Sequence, residues 1–177
     1  AGGKALHLAG FVGTEGRIVA TDRRSAALHE LRKRTERAGC TQVTSHEWAG
    51  TETPADTFDG VLLDAPCSGS GTWRRNPAAR WTLTTGALTE YPRRQLELLS
   101  RVAPAVKPGG LLVYATCSLF RVENEEVADR FIADHPDFAL EPFASPLDGT
   151  PTPGQTIFWP WIADGDALFV ARLRRRA

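Results

Sequence analysis

Two short apolar runs, each stopped abruptly and each followed by a thiol, constrain this chain more than anything else in it. The first is Val61-Leu62-Leu63-Asp64-Ala65, apolar but for one Asp, halted at Pro66. A run of that length predicts a strand buried on both faces, of the kind parallel sheets use. Pro66 has no N–H to donate and ends the pairing. Cys67 follows at once, then Ser68-Gly69-Ser70-Gly71, where glycine lets the backbone turn tightly. The second run is Leu111-Leu112-Val113-Tyr114-Ala115, preceded by the turn Lys107-Pro108-Gly109-Gly110 and closed by Thr116-Cys117-Ser118. Open α/β sheets bind ligands beyond the carboxyl ends of their strands. Asp64, Cys67 and Cys117 are therefore candidate chemistry on one rim of one sheet. Taken alone, the first run is equally well an N-capping Asp beside an inert buried Cys. Two thiols at equivalent strand ends are hard to explain by packing.

The rest of the chain alternates strands with helices, which predicts an α/β fold with a mostly parallel, Rossmann-like sheet. Helical spacing of Leu8, Phe11 and Val12 predicts a helix from Lys4 to near Gly13, opened by Gly2 and Gly3. A glycine pair there suits close approach of a ligand to backbone N–H groups. No strand precedes it, so the first strand of such a sheet is expected to be missing from the chain. Residues 17–21 predict a strand ending at Asp22, where an acid suits a ribose hydroxyl or, equally, a helix N-cap. A helix over 25–38 buries Leu28, Leu31 and Thr35 and stops at Gly39. A weaker strand, 41–45, leads to Glu47 at a third strand end and to Trp48.

Residues 71–81 have no period and interleave Arg74, Arg75 and Arg80 with Trp73 and Trp81, a mixture that suits phosphates and stacked bases. Pro92 is expected to start a helix carrying Gln95, Leu96, Leu98, Leu99 and Val102, ending near Pro104. After Cys117 a helix opens with Glu123 and Glu125, placed to favour its dipole, and buries Val127, Phe131 and Ile132. Residues 144–154 predict a loop. Residues 156–159 and 167–173 predict an antiparallel strand pair at the sheet's edge.

The chain has 177 residues, enough for one domain with a substantial core. Its 21 basic and 21 acidic residues balance, so bulk charge demands no nucleic-acid partner. Arg is nonetheless clustered, at 23–24, 74–75, 93–94 and 174–176, and Arg is the planar phosphate binder. The last cluster is expected to be a solvated basic tail. Three widely spaced cysteines argue against a disulfide framework and against zinc, and for a reducing compartment such as the cytoplasm. No apolar run approaches membrane-spanning length.

The motifs resemble those of the RNA cytosine-5 methyltransferases of the Sun and RsmB type. The resemblance rests on 64–69 (Asp-Ala-Pro-Cys-Ser-Gly), on 74–77 with Trp81, on Gln95, on 107–110, and above all on 114–118 (Tyr-Ala-Thr-Cys-Ser) continuing to 123–125. It implies a class I methyltransferase catalytic domain over residues 1–177, truncated at its N-terminus, that uses S-adenosylmethionine. The matching positions imply that Ala1, Gly2, Gly3 and Lys4 end the cofactor loop. Asp22 then holds the ribose, and Glu47 stands where the family has an Asp beside the adenine. Asp64 lies near both cofactor and base, Cys117 is the nucleophile and Cys67 aids release. The implied substrate is RNA, ribosomal ahead of transfer RNA. The family's Asp-Gly-Phe-Phe near the C-terminus is Asp-Gly-Asp-Ala-Leu-Phe here, at 164–169.

The chemistry explains why a thiol is needed. A thiolate adding to carbon 6 of cytosine makes carbon 5 nucleophilic enough to accept a methyl group, splitting one hard step in two. Lys4 or an Arg of the 74–75 pair is expected to favour that thiolate. Three other readings stand beside this one: Cys67 as the nucleophile, a non-catalytic RNA-binding module, and a methyltransferase for small molecules or proteins, which gives no role to two thiols.

Overall fold

The expected strands form, and the way they pair decides what lies on each rim. The computed structural model describes residues 2–177, and its elements divide into two units, 1–52 and 53–177.

In the first unit, helix α1 (Gly3–Val12) is followed by strand β1 (Ile18–Asp22), helix α2 (Ser25–Arg37) and strand β2 (Val43–Glu47). Strands β1 and β2 pair in parallel, with Asp22 opposite Glu47. Helix α2 buries Leu28, Leu31 and Thr35, as the spacing predicts. Gly39, at φ 67°, ends it. Helix α1 departs from expectation in its face. It buries Ala5 and Ala9, while Leu8, Phe11 and Val12 are exposed, Phe11 at 77%. Small residues let the helix approach closely, and Gly2 shows how closely. At φ 84° it favours glycine, and a Cβ there would lie 2.5 Å from Leu31 Cδ1.

The second unit holds strand β3 (Phe58–Asp64), helices α3 (Ala79–Thr82) and α4 (Ala87–Val102), strand β4 (Val106–Thr116), helix α5 (Glu125–Asp134), strand β5 (Phe138–Leu140), the short strands β6 (Phe143–Ala144) and β7 (Pro151–Thr152), strand β8 (Gln155–Phe158), helix α6 (Pro160–Ala163) and strand β9 (Leu168–Arg175). The main sheet has the order β3-β4-β9-β5, with β8 also paired to β9. β3 and β4 run parallel; β9 is antiparallel to β4, β5 and β8. The antiparallel partnership of β8 and β9 was legible, but β9 lies inside the sheet and not at its edge. Its alternating pattern puts Phe169, Ala171 and Leu173 in the core, with Tyr114, Phe131 and Phe138 beside them.

Strand β3 is not buried on both faces. Burial alternates along it: Leu63 is buried and Leu62 is 38% exposed. Among the described strands β3 pairs with β4 alone, so its apolar run exceeds what its present neighbours cover. Residues 107–110 form no separate turn. They bulge out of β4 between the pairs Phe58–Val106 and Gly60–Leu111. Gly109 sits at φ 74°, and a Cβ on Gly110 would lie 2.8 Å from the Lys107 carbonyl oxygen and 2.9 Å from that of Asp59.

Three further expectations are corrected. Helix α4 begins at Ala87, with Pro92 inside it. The missing N–H of Pro92 leaves one carbonyl of the helix's first turn without its partner, a cost offset by burying Gln95, Leu98, Leu99 and Val102. The loop over 144–154 is pinned by the β6–β7 ladder. The basic C-terminus is no solvated tail, for Arg174 and Arg175 belong to β9. Arg174 and Arg172 grip Glu141, Arg174 Nη2 at 2.8 Å, while Arg175 pairs with Asp137 at 3.1 Å and donates to the Val106 carbonyl at 2.7 Å. Among the described residues no helix is long and apolar enough to cross a membrane.

The Arg174 and Arg172 guanidiniums hold the Glu141 carboxyl down to about 2, against an ordinary 4.5. A carboxyl lowered on folding adds stability that is present in full above its ordinary value and is lost as pH falls through the lowered one. Stability measured by urea denaturation should therefore drop as pH falls from 4.5 to about 2, and Glu141→Gln should flatten that slope. An unchanged slope would show the ion pairs contribute nothing.

Candidate active site

The parallel register of β3 and β4 puts Asp64 opposite Ala115. The ladder continues one step further, Ala65 N–H donating to the Ala115 carbonyl at 3.0 Å. Both chains then leave the sheet at the same rim, and the result is a sulfur pair. Cys67 Sγ lies 3.4 Å from Cys117 Sγ, with both side chains half-buried and neither in a disulfide.

Local sequence holds the pair from several sides. After Cys67 the backbone turns through Gly69 at φ 68° into a single 3-10 turn, Ser70–Thr72. Gly71 N–H donates to the Cys117 carbonyl at 2.8 Å, and Gly71's own carbonyl accepts from Ala167 N–H at 3.1 Å. This glycine stitches the loop after β3 to the end of β4 and the start of β9. A Cβ there would meet Ala167 Cβ at 2.6 Å and the Cys117 oxygen at 2.8 Å.

Beneath the sulfurs is a buried carboxylate. Glu123 is fully buried, in the 3-10 turn ahead of α5. Its Oε1 accepts from Ser68 N–H at 2.8 Å and Gln95 Nε2 at 3.3 Å; its Oε2 accepts from the hydroxyls of Ser68 (2.5 Å) and Ser118. The backbone is fastened as well: Tyr114 Oη donates to the Glu123 carbonyl at 2.5 Å, and Asn124 Nδ2 donates to the Ser118 carbonyl at 2.9 Å. Glu123 thus does not serve a helix dipole, as its place in the sequence suggested. The turn before α5 points it inward, where four donors satisfy the charge. Its partners Ser68 and Ser118, and Asn124, which holds the Ser118 carbonyl, were also missed. The available signal was the repeated Cys-Ser pair, one after each strand.

Electrostatics couple the two thiols. The hydrogen bond with Cys117, burial and the Cys117 charge all push the Cys67 thiol up, so it keeps its proton. Burial also pushes the Tyr114 phenol up. Of the cations expected to favour a thiolate, Arg75 acts on Cys117: its own proton affinity is raised by Asp166 first and by Cys117 in lesser part.

The other candidates are placed as follows. Asp64 is exposed at the carboxyl end of β3. Arg75 makes a two-pronged ion pair with Asp166, and Arg74 lies 3.3 Å from Asp164. Both arginines therefore tie the 72–82 segment to the residues before β9, with most of each side chain in solvent. Trp81 is 79% exposed, with the Arg80 guanidinium 4.9 Å above its ring. In the first unit, Gly2 and Gly3 open α1, Lys4 is exposed in its first turn, and Asp22 and Glu47 stand side by side. Ala1 lies outside the described residues. Asp22 does not cap α2. It accepts from Arg24 N–H at 2.9 Å, Nε at 3.0 Å and Nη2 at 2.9 Å, and these bonds hold its carboxyl below the usual range. Among the described residues, no group of three or more His, Cys, Asp or Glu is placed to hold a metal ion.

A family model described as 16S rRNA methyltransferase RsmB/F matches residues 1–174. The probable ribosomal RNA small subunit methyltransferase B of Synechocystis is 39% identical over 182 residues, covering 98% of this chain and 41% of the relative. Ribosomal RNA small subunit methyltransferase F of Shewanella frigidimarina is 32% identical, covering 99% and 38%. The chain thus spans about two-fifths of the length of these curated relatives. The solved structure of NSun6 from Pyrococcus horikoshii with SFG matches at a TM-score of 0.84 and 26% identity, covering 99% of this chain and 46% of that one.

Two outcomes follow from the geometry. Gly71→Ala should cost about 1–3 kcal/mol in urea denaturation, because neither backbone oxygen nor Ala167 has room to give; a neutral result would show that the loop is not held against β4. Removing the cation with Arg75→Gln should move the onset of Cys117 alkylation by iodoacetamide to higher pH, followed by peptide mass spectrometry, since a thiolate loses a favourable charge.

Proposed function

The chain belongs to the 16S rRNA methyltransferase RsmB/F family, and on that premise we propose that it methylates carbon 5 of a cytosine in RNA, ribosomal ahead of transfer RNA, through a transient bond between Cys117 Sγ and carbon 6. One observation carries the reading: the sulfurs of Cys67 and Cys117 stand 3.4 Å apart on one rim.

Cys117, beside Arg75, gives the thiolate that attacks carbon 6. The electron pair displaced from the 5,6 double bond makes carbon 5 the nucleophile toward the methyl group. Carbon 5 must then lose its proton. While Cys117 is ionised, its charge and hydrogen bond keep Cys67 protonated. Once Cys117 Sγ is tied up in a neutral thioether both influences vanish, and Cys67 releases its proton to solvent. The Cys67 thiolate takes the carbon 5 proton, the C–H pair restores the double bond, and Cys117 leaves as thiolate. The target base must be unstacked to be reached, so a loop or flipped nucleotide is the expected substrate. Arg74, Arg75 and Trp81 are the proposed RNA contacts: the arginines offer partly exposed guanidiniums and Trp81 an open ring face.

S-adenosylmethionine supplies the methyl group when bound. Residues of the first unit fit parts of it. Asp22 and Glu47, neighbours at the carboxyl ends of parallel strands, suit groups that donate, such as ribose hydroxyls and an amine. Three of the roughly four acceptor positions of the Asp22 carboxylate are taken by Arg24, leaving one. Gly2, Gly3 and Lys4 are the proposed contacts at the start of α1, where no side chain caps the helix. In the second unit Asp64 is the proposed contact of cofactor and base. The relative solved with SFG, an analogue of S-adenosylmethionine, supports S-adenosylmethionine as the cofactor.

Trapping on RNA that carries 5-fluorocytidine tests the assignment, because fluorine at carbon 5 blocks the last elimination. With S-adenosylmethionine present, the full chain should form a denaturant-resistant RNA adduct. Cys117→Ser should abolish it and Cys67→Ser should retain it. An adduct that needs Cys67 and not Cys117 would reverse the two roles.

A further inference from the structure

The Cys67 and Cys117 loops share a single anchor. Ser68 follows Cys67 and Ser118 follows Cys117, and both hydroxyls donate to the same oxygen, Glu123 Oε2. The two hydroxyls are themselves 3.1 Å apart, and Ser70 Oγ lies 3.3 Å from Ser68 Oγ and 3.4 Å from Ser118 Oγ. Glu123 Oε1 adds the Ser68 N–H, and Gln95, which also donates to the Pro66 carbonyl at 2.8 Å, ties α4 to the same carboxylate. Both loops are therefore held one residue away from their sulfurs by a buried charge. Hydrogen bonds to a buried carboxylate are short and strong, and breaking one side leaves the rest uncompensated.

From this geometry we propose that Glu123 is a positioning residue that sets the distance between the two thiols. It touches neither sulfur; it acts through Ser68 and Ser118. Burial alone explains none of this arrangement, since an apolar side chain would fill the same space without fixing either loop. The catalytic use of the thiols rests on the function proposed above, but their spacing does not.

The test uses a distance ruler that needs neither RNA nor S-adenosylmethionine. With Cys40→Ser to remove the third thiol, the full chain is equilibrated with glutathione disulfide. One protein thiolate displaces one glutathione to give a mixed disulfide, the second protein thiolate displaces the other, and two protein thiols become one disulfide while two glutathiones form. The closure constant reports the effective concentration of one sulfur at the other. Glu123→Gln, and Ser68→Ala with Ser118→Ala together, should each lower it by about tenfold or more while the near-ultraviolet circular dichroism stays native. Ser68→Thr, which keeps its hydroxyl, should hold the parent value. Closure within about twofold of the parent in folded variants overturns the proposal. If Glu123→Gln does not fold, the double serine variant decides by the same criterion. The 5-fluorocytidine adduct is scored separately on the parent chain, so failure of the methyl-transfer reading and failure of the positioning role give different results.

Discussion

The ladder between β3 and β4 is the constraint on which everything else rests. Each step of it, from Gly60 opposite Leu111 to Asp64 opposite Ala115, is an ordinary backbone pairing. Together the steps decide where the chain stands when it leaves the sheet. In a strand a slip of one residue turns every side chain to the other face. Such a slip would part the two sulfurs and send Glu123's partners to the wrong side. The bulge at residues 107–110 protects this register by absorbing extra residues ahead of it. Gly110 is packed so tightly against the Lys107 and Asp59 carbonyls that no side chain fits. A bulge at the opposite end of β4 from Cys117 thus sets where the thiols meet.

Around that ladder, charge is used in two different ways. The ion pairs of Arg74 with Asp164 and Arg75 with Asp166 lie largely in solvent, where such pairs add little stability. Their value is placement: they hold the Arg- and Trp-bearing segment against the residues before β9. Glu123 is the opposite case. Its charge is out of water and would be costly without partners, yet every donor is supplied by a segment next to a thiol or by α4. Buried polar networks of this kind favour one arrangement over its neighbours when every member is satisfied. Cys67 and Cys117 sit above that network close enough that the charge and hydrogen bond of Cys117 hold the proton on Cys67.

Much of the architecture could be read from periodicity. The face of α2, the parallel strands, the pairing of β8 with β9 and the glycine stop after α2 follow from local spacing and conformational preference. The departures share a cause, which is that burial and partner choice are non-local. Pro92 marks a helix start by propensity, but the apolar stripe of α4 carries the helix through it. Arg174 and Arg175 look like a free tail until β9 lies beside Glu141 and Asp137. Glu123 looks like a first-turn acid because the sequence does not say which way a single 3-10 turn points it.

Chemistry at the site divides along the same line. The residue types and their order along the chain already specify two thiols, an acid at a strand end, glycine-rich turns and an Arg–Trp segment, because strand length, proline and glycine act over a few residues. Only the tertiary structure decides that the sulfurs stand 3.4 Å apart, that one of them keeps its proton, and that a buried carboxylate grips both loops. Those properties depend on distances between residues some fifty positions apart, set by strand register and desolvation, and no local pattern carries them.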